Sequence, residues 1–112
     1  MLLLKNRLRK KQEFENVYKK GKSFSYENIT LVFVKNDLGY FRAGVVVSGK
    51  FSQKATERNK IKRQLRVILQ KHSPILAGGI DVVIIPKKKE GLTYQKLQEN
   101  TEKALKKAKI IS

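Results

Sequence analysis

Apolar residues recur at helical spacing in three segments of the chain, and they predict three helices. The first is residues 11–20 (KQEFENVYKK), where Gly21 marks the C-terminal end. The second runs from about residue 54 to residue 71 and stops at Ser73-Pro74, because the residue before a proline disfavours helix. The third begins at Thr93, whose hydroxyl is suited to cap a helix. Its predicted buried side consists of Leu97, Thr101, Ala104, Leu105 and Ala108.

Runs of β-branched and aromatic residues predict the strands. Residues 28–36 (NITLVFVKN) and 40–48 (YFRAGVVVS) flank the turn-forming sequence Asn-Asp-Leu-Gly at 36–39, so we expect a β-hairpin. Residues 80–86 (IDVVIIP) form a continuous apolar run, which is typical of a strand buried on both faces. A short additional strand is predicted near residues 22–24.

The resulting order is α-β-β-β-α-β-α. It predicts an α+β fold in which helices pack on one mixed, four-stranded sheet. With 112 residues, the chain is long enough for one hydrophobic core and too short for two, so residues 1–112 are expected to form a single domain.

Charge is the most unusual property of the composition. Lys and Arg number 26 against 9 Asp and Glu, a formal net charge of +17. Self-repulsion of this size destabilises a small protein, and a polyanionic partner relieves it, which favours a nucleic-acid-binding function.

An anionic membrane is the alternative partner, but no helix combines a broad apolar face with lysines opposite aromatics. No apolar run reaches the length of a membrane span, and the N-terminus lacks the features of a signal peptide, so we expect a cytoplasmic protein.

The second helix concentrates the basic residues. On a helical wheel, one arc of about 100° holds the apolar positions Ile61, Leu65, Ile68 and Leu69. Arg58, Lys62 and Arg66 repeat every four residues beside this stripe, and Asn59 and Arg63 extend the polar arc further. A helix whose basic side is merely solvated normally interleaves acidic residues, and only Glu57 does so here. The pattern therefore favours an RNA-binding surface over a merely solvated basic helix.

Catalytic and metal-binding chemistry is poorly supported by the sequence. The chain has no cysteine, and its nine acidic residues show no metal-ligand spacing. The single histidine, His72, lies at a helix end, where a capping or surface role is favoured. Phe14 and Tyr18 lie one turn apart on the first helix. Such a pair is usually core, although Tyr18 at the edge of a groove is suited to stack on an unpaired base. We predict no catalytic residue and no metal site in this chain.

One segment carries a family resemblance. Residues 58–66 (RNKIKRQLR) closely resemble the RNR signature helix of the bacterial ribonuclease P protein subunit. Weaker agreements occur in the same order along residues 7–86, and they include Arg7-Leu8, Glu13-Phe14, Arg42 and Asp81. The sequence departs from the family at Val67, where a glutamate is often found, and in the pre-helix loop, which looks one residue longer.

The resemblance implies an accessory protein of a ribonucleoprotein enzyme. In this family the RNA subunit, with Mg²⁺ held mainly by RNA, removes the 5′ leader of precursor tRNA. The sheet is then expected to contain a left-handed β-α-β crossover, contrary to the usual rule. The implied contacts to the ribonuclease P RNA are Lys50, Lys54, Arg58, Asn59, Lys60, Lys62, Arg63 and Arg66. The implied residues of the precursor-tRNA leader cleft are Arg7, Arg9, Phe14 and Tyr18.

Two other classes remain as alternatives. A ribosomal or other structural RNA-binding protein of the same fold would show the same basic helix. A DNA-binding helix-turn-helix protein needs two helices joined by a short turn, and the predicted strands between the helices argue against it.

Overall fold

The computed structural model describes residues 4–72 and 78–111, which form three α-helices and four strands. The strands are β1 (Lys22–Tyr26), β2 (Ile29–Lys35), β3 (Arg42–Val45) and β4 (Ile80–Pro86). The helices are α1 (Lys11–Lys20), α2 (Ala55–Lys71) and α3 (Tyr94–Lys107), preceded by a short 3₁₀ turn at Leu4–Asn6. The predicted order α-β-β-β-α-β-α is confirmed. No helix within the described ranges is long and apolar enough to cross a membrane.

The strand order is β1-β2-β4-β3, which corrects the predicted hairpin. β2 and β3 do not pair with each other, because β4 lies between them, antiparallel to β2 and parallel to β3. The hairpin of this fold is formed instead by β1 and β2. Its two-residue turn places Glu27 at a φ of 52°, and Tyr26 pairs with Ile29 across it. The additional strand predicted near residues 22–24 is confirmed as β1.

β3 and β4 are parallel neighbours joined through α2, which is a β-α-β crossover. The left-handed sense that the resemblance implies for this connection stays a prediction. The predicted strand 80–86 is confirmed with both faces covered, since Val82 and Ile84 belong to one core cluster and Val83 to another. Because its neighbours on either side are β2 and β3, β4 is an inner strand of the sheet.

The helix boundaries agree closely with the predicted ones. α1 ends at Lys20 with Gly21 as its C-cap, and this position requires glycine, because a Cβ there would collide with Val17 O and lie 2.8 Å from Phe33 O. The start of α3 is capped as predicted, with Thr93 Oγ1 accepting a hydrogen bond from Lys96 N at 3.1 Å. The stop predicted at Ser73-Pro74 lies outside the described residues.

The sheet separates two hydrophobic clusters. The main core lies between one sheet face and helices α2 and α3, where Leu65, Ile68 and Leu69 are fully buried and Ile61 is half-buried. The predicted side of α3 is also confirmed, since all its members are buried except Ala108, which caps the helix end and packs against the core. The smaller cluster lies on the opposite sheet face beneath α1 and is centred on Leu8, Val17 and Val83.

Candidate nucleic-acid interface

The N-terminal end of α2 is fixed by a serine in the preceding loop. Ser52 is buried, and its hydroxyl accepts a hydrogen bond from Lys54 N at 3.1 Å while donating to Glu57 Oε2 at 2.6 Å. Phe51 beside it is also buried and anchors the loop to the main core. Lys50 and Lys54 remain exposed at this end of the helix. The atypical pre-helix loop is therefore a fixed support for α2.

The basic band consists of the polar residues beside the buried stripe of α2: Arg58, Asn59, Lys62, Arg63 and Arg66. Arg58, Lys62 and Arg66 are half-buried at the edge of the core, while Asn59 and Arg63 are exposed. Within residues 4–72 and 78–111, none of these basic side chains forms an ion pair with an acid. The band is therefore a concentrated positive charge held on a rigid helix.

Part of the basic band encloses a shallow depression of about 240 Å³. It is lined by Asn59, Lys62, Arg63, Arg66 and Val67. Four predicted RNA contacts thus meet at one place, and Val67, where the family often has a glutamate, adds no negative charge to it. Arg58 lies outside this depression and donates from Nη1 to Ser52 O at 2.8 Å. Arg58 therefore also stabilises the loop before the helix.

Lys60 is separated from the basic band. It lies across the buried stripe of α2, where it lines a different cleft with Gln64 and Lys88. The helical wheel did not place Lys60 in the basic band. The resemblance includes Lys60 among the implied RNA contacts because it belongs to the run of residues 58–66. On the helix Lys60 lies one turn before Gln64, and these two side chains share the flank that lines the other cleft.

The second candidate surface is the open sheet face, which α1 covers only in part. Its apolar side chains are half-buried, and they are Phe14, Val32, Val34, Val46 and Ile85. The Phe14 ring lies directly over β3, since a Cβ on Gly44 would come within 2.5 Å of Phe14 Cε1. Phe14 thus packs on the smaller cluster and also forms the wall of this face.

Tyr18 lies one turn further along α1 and is 46% exposed. Partial burial raises the pKa of its phenol, so the hydroxyl is neutral at physiological pH. An exposed, uncharged aromatic ring is suited to stack on a base. The ring of Tyr18 is accessible for stacking, whereas the ring of Phe14 is packed against β3.

Arg7 and Arg9 lie where the chain enters α1. Residue 7 forms a parallel bridge with Ala43, and Leu8 N donates to Ala43 O at 3.0 Å, so this segment extends the sheet beyond β3. Arg7 is half-buried and its Nε has no hydrogen-bond partner among the described residues. The Arg9 side chain is exposed, while its backbone N–H donates to Glu13 at 2.8 Å. Both arginines thus lie near α1, and their role in a leader cleft stays a prediction.

An ion-pair network that periodicity alone did not reveal fixes α1 against the sheet. Arg42 Nη1 donates to Glu13 Oε2 at 2.6 Å, and the same guanidinium binds Asp81. Backbone N–H groups of Lys10 and Arg9, together with Arg42, lower the pKa of Glu13. Hydrogen bonding to Asp81 raises the pKa of Arg42. The network therefore sets the position of α1, and with it the edge of the open sheet face.

His72 is the C-cap residue of α2, as predicted, and its ring also pairs with Glu102 of α3. This contact joins the C-terminal end of α2 to the second half of α3. Among the described residues, no group of three histidine, aspartate or glutamate side chains is placed to hold a metal ion.

These features define a class: a small, strongly basic protein of mixed α+β fold with a charged helix on one side and an apolar sheet face on another. Residues 2–109 match the family model described as Ribonuclease P. The chain therefore belongs to the bacterial ribonuclease P protein family, the protein subunit of a tRNA-processing ribonucleoprotein nuclease.

Similar proteins agree with this assignment. The ribonuclease P protein component of Thermotoga petrophila is 44% identical over 85 residues, which cover 76% of this chain and 72% of that protein. The Thermotoga maritima protein is 40% identical over 93 residues, covering 83% and 79%. The solved structure of Staphylococcus aureus RNase P protein has a TM-score of 0.88 at 30% identity, covering 96% of this chain and 98% of that one. These relatives do not favour the alternative of a ribosomal or other structural RNA-binding protein.

Proposed function

We propose that this chain binds ribonuclease P RNA through the basic band and the 5′ leader of precursor tRNA through the open sheet face. The RNA subunit, with Mg²⁺, would then hydrolyse the phosphodiester bond that releases the leader. The observation that carries the proposal is the unpaired charge of the basic band. Five polar positions on one rigid flank of α2, without acidic partners in the described ranges, match the regularly spaced phosphates of a folded RNA.

The open sheet face fits a different ligand. Its floor is apolar, and Tyr18 at its edge offers a ring for stacking. The unpaired bases of a single strand can stack on such a ring, whereas the backbone of a duplex cannot. Arg7 and Arg9 would supply cations for the leader phosphates. The chain would then hold the leader on one surface and the catalytic RNA on another, which favours correct placement of the substrate.

The donor set of the described residues does not fit a Mg²⁺ ion, since no cluster of acidic side chains is present among them. We propose that the RNA holds the Mg²⁺ and performs the chemistry, and that this chain takes no catalytic step. Its proposed contribution is to bind, to orient and to neutralise charge, and it would act in the bacterial cytoplasm.

The test is reconstitution. The protein is mixed with transcribed ribonuclease P RNA and a precursor tRNA labelled in its leader, at a Mg²⁺ concentration low enough that the RNA alone cleaves slowly. We expect the protein to accelerate cleavage at the mature 5′ end. The triple variant Lys62→Ala, Arg63→Ala, Arg66→Ala should lose this effect. Lys106→Ala, an exposed lysine on α3, is the control that keeps it. The proposal is wrong if wild-type protein gives no acceleration, or if it cleaves equally well without the RNA.

A further inference from the structure

A second flank of α2 faces away from the basic band, across the buried stripe of the helix. Here α2 and the loop at residues 87–93, which leads into α3, enclose a cleft of about 470 Å³. This volume lies within the range of roughly 300–1,000 Å³ that small-molecule sites occupy. We call it the α2–α3 cleft, and the residues that matter most in it are Phe51, Lys60, Ile61, Gln64, Lys88 and Leu92.

The floor of the α2–α3 cleft is apolar. Phe51 is buried, and the half-buried Ile61 and Leu92 pack against the main core from either side of it. Tyr94 is half-buried at one end, and its ring lies 5.6 Å from the Nζ of Lys71. An apolar floor with an aromatic ring at one end fits a ligand with an apolar, aromatic body better than it fits a free inorganic ion.

The rim of the α2–α3 cleft is cationic. Lys60 comes from α2 and Lys88 from the facing loop, and neither forms an ion pair within residues 4–72 and 78–111. The nearest acid is Glu57 in the same cleft, whose pKa the charges of both lysines help to lower. Lys89, by contrast, is paired with Glu27 at 2.9 Å. Two unpaired ammonium groups above an apolar floor complement a ligand that has a planar body and an attached phosphate.

Two polar groups lie where the edge of a planar ligand would reach. The amide of Gln64 has no hydrogen-bond partner among the described residues, so both its donor and its acceptor are available. Glu57 also lines the cleft, and its Oε2 accepts from Ser52 at 2.6 Å, which leaves Oε1 to accept from a ligand. This hydrogen bond lowers the pKa of Glu57, so its carboxylate is ionised at neutral pH and acts only as an acceptor.

We propose that the α2–α3 cleft binds one unpaired nucleotide of the ribonuclease P RNA, with its base on the floor and its phosphate between Lys60 and Lys88. Glu57 accepts a hydrogen bond from the base. Adenine, cytosine and guanine offer an exocyclic amino group for it, where uracil offers only its ring N3–H, so uracil is the least favoured base. The inference rests on the proposed function, since it adds a single-nucleotide contact to the RNA already bound by the basic band. The RNA would then hold α2 from both flanks.

Crosslinking in the assembled particle tests which RNA enters the cleft. The chain has no cysteine, so Gln64→Cys provides a unique thiol for a short photoreactive crosslinker. We expect an efficient crosslink to one unpaired nucleotide of the ribonuclease P RNA, with or without precursor tRNA. Lys106→Cys on α3 is the control and should give no such crosslink. A Gln64→Cys crosslink that appears only with precursor tRNA, or that is spread over duplex regions, would overturn the proposal.

Nucleotide binding to the free protein tests the chemistry of the cleft. In an NMR titration, AMP, CMP and GMP should shift the amide signals of residues 60, 64, 92 and 94 in a saturable way. UMP should bind more weakly, and ribose 5-phosphate should not saturate. Lys60→Ala should weaken binding roughly tenfold, because a hydrogen bond to a charged group is worth about that factor or more. Lys106→Ala is the matched control. Equal shifts with ribose 5-phosphate would show that the cleft attracts the phosphate by charge and does not bind the base, which would overturn the proposal.

The two failures are distinguishable. If wild-type protein accelerates leader removal but the nucleotides do not bind and Gln64→Cys does not crosslink, this inference is wrong and the proposed function stands. If the wild-type protein gives no acceleration with its RNA, the proposed function itself fails, whatever the cleft binds.

Discussion

Arg42 and Asp81 are paired residues in the parallel register of β3 and β4, and their side chains form a two-pronged ion pair. Arg42 Nε donates to Asp81 Oδ1 at 2.9 Å, and Nη2 donates to Oδ2 at 2.7 Å. The Asp81 side chain is only 2% exposed. Because the same guanidinium also binds Glu13, this pair connects two strands to α1.

Asp81→Asn should therefore destabilise the fold by about 1.5–3 kcal/mol, the usual range for a lost hydrogen bond to a charged group that stays partly buried. Glu15→Gln is the control, since Glu15 pairs with Lys11 at an exposed site where an ion pair contributes less than about 1 kcal/mol. Urea denaturation of the two variants measures the difference. Equal losses of stability would show that the Arg42–Asp81 pair contributes no more than a surface contact.

Glu13 should make the stability of the protein sensitive to acid. Its pKa is lowered in the folded state by the backbone N–H groups of Lys10 and Arg9 and by Arg42. The unfolded state therefore binds a proton first as pH falls, and the free energy of unfolding declines through and below the ordinary range of a glutamate pKa. Denaturation at a series of pH values should show this decline, and Glu13→Gln should make it shallower. An unchanged slope in Glu13→Gln would assign the acid sensitivity to other carboxylates.

Polyvalent anions should raise the melting temperature of the free protein. The net charge of +17 is concentrated partly in the basic band, and an anion that binds only the folded state stabilises it by mass action. Sulfate and pyrophosphate should therefore act more strongly than chloride at equal ionic strength. A melting temperature that follows ionic strength alone would indicate general screening without an anion site.

Arg63→Ala should both weaken RNA binding and reduce its dependence on salt. Arg63 is exposed on the basic band, and we propose that it neutralises a phosphate there. Each such contact contributes roughly 0.7 to 0.9 to the slope of log affinity against log salt. Binding titrations with ribonuclease P RNA at several salt concentrations measure this slope, with Lys106→Ala as the control. Weaker binding with an unchanged slope would mean that Arg63 contacts no phosphate.

Tyr18→Ala should lower the affinity of the reconstituted particle for precursor tRNA with a leader of several nucleotides. Stacking on one base can contribute about 1–3 kcal/mol, and mature tRNA has no leader to stack. Binding of mature tRNA should therefore change little. Arg66→Ala should instead raise the protein concentration needed for activity. It is a cleaner test of assembly than Arg58→Ala, because Arg58 also binds Ser52 O.

Circular dichroism is needed as a fold control for Tyr18→Ala, since the ring is partly covered. If a folded variant loses affinity equally for mature and precursor tRNA, Tyr18 has a structural role only.

Elements defined by nearby residues were predictable from the sequence, whereas strand pairing was not. The α1 boundary at Gly21 and the strand Ile80–Pro86 follow from local periodicity and turn residues. The turn after β2 was also recognised correctly, and Asn36 Oδ1 accepts from Leu38 N there. The error was to assume that the two strands joined by this turn, β2 and β3, also pair with each other. The insertion of β4 depends on contacts between residues far apart in sequence, and no local signal encodes them.

The same division applies to the candidate sites. The basic band was predictable because four-residue spacing on a helix determines which side chains share a face. The network of Glu13, Arg42 and Asp81 was not, since its members meet only once β3 and β4 are placed side by side. The α2–α3 cleft was also missed, because its walls come from two separate parts of the chain.

The position of β4 also determines the order in which the strands can pair while the chain is being synthesised. β1 and β2 can pair as soon as both have left the ribosome, but β3 has only its short bridge to residue 7 until Ile80–Pro86 has been made. The apolar stripe of α2 likewise lacks its complete sheet until then. The sheet is therefore completed late in translation. A chain that terminates before β4 would carry much of its positive charge on segments that no complete sheet holds apart, so their charges would repel one another.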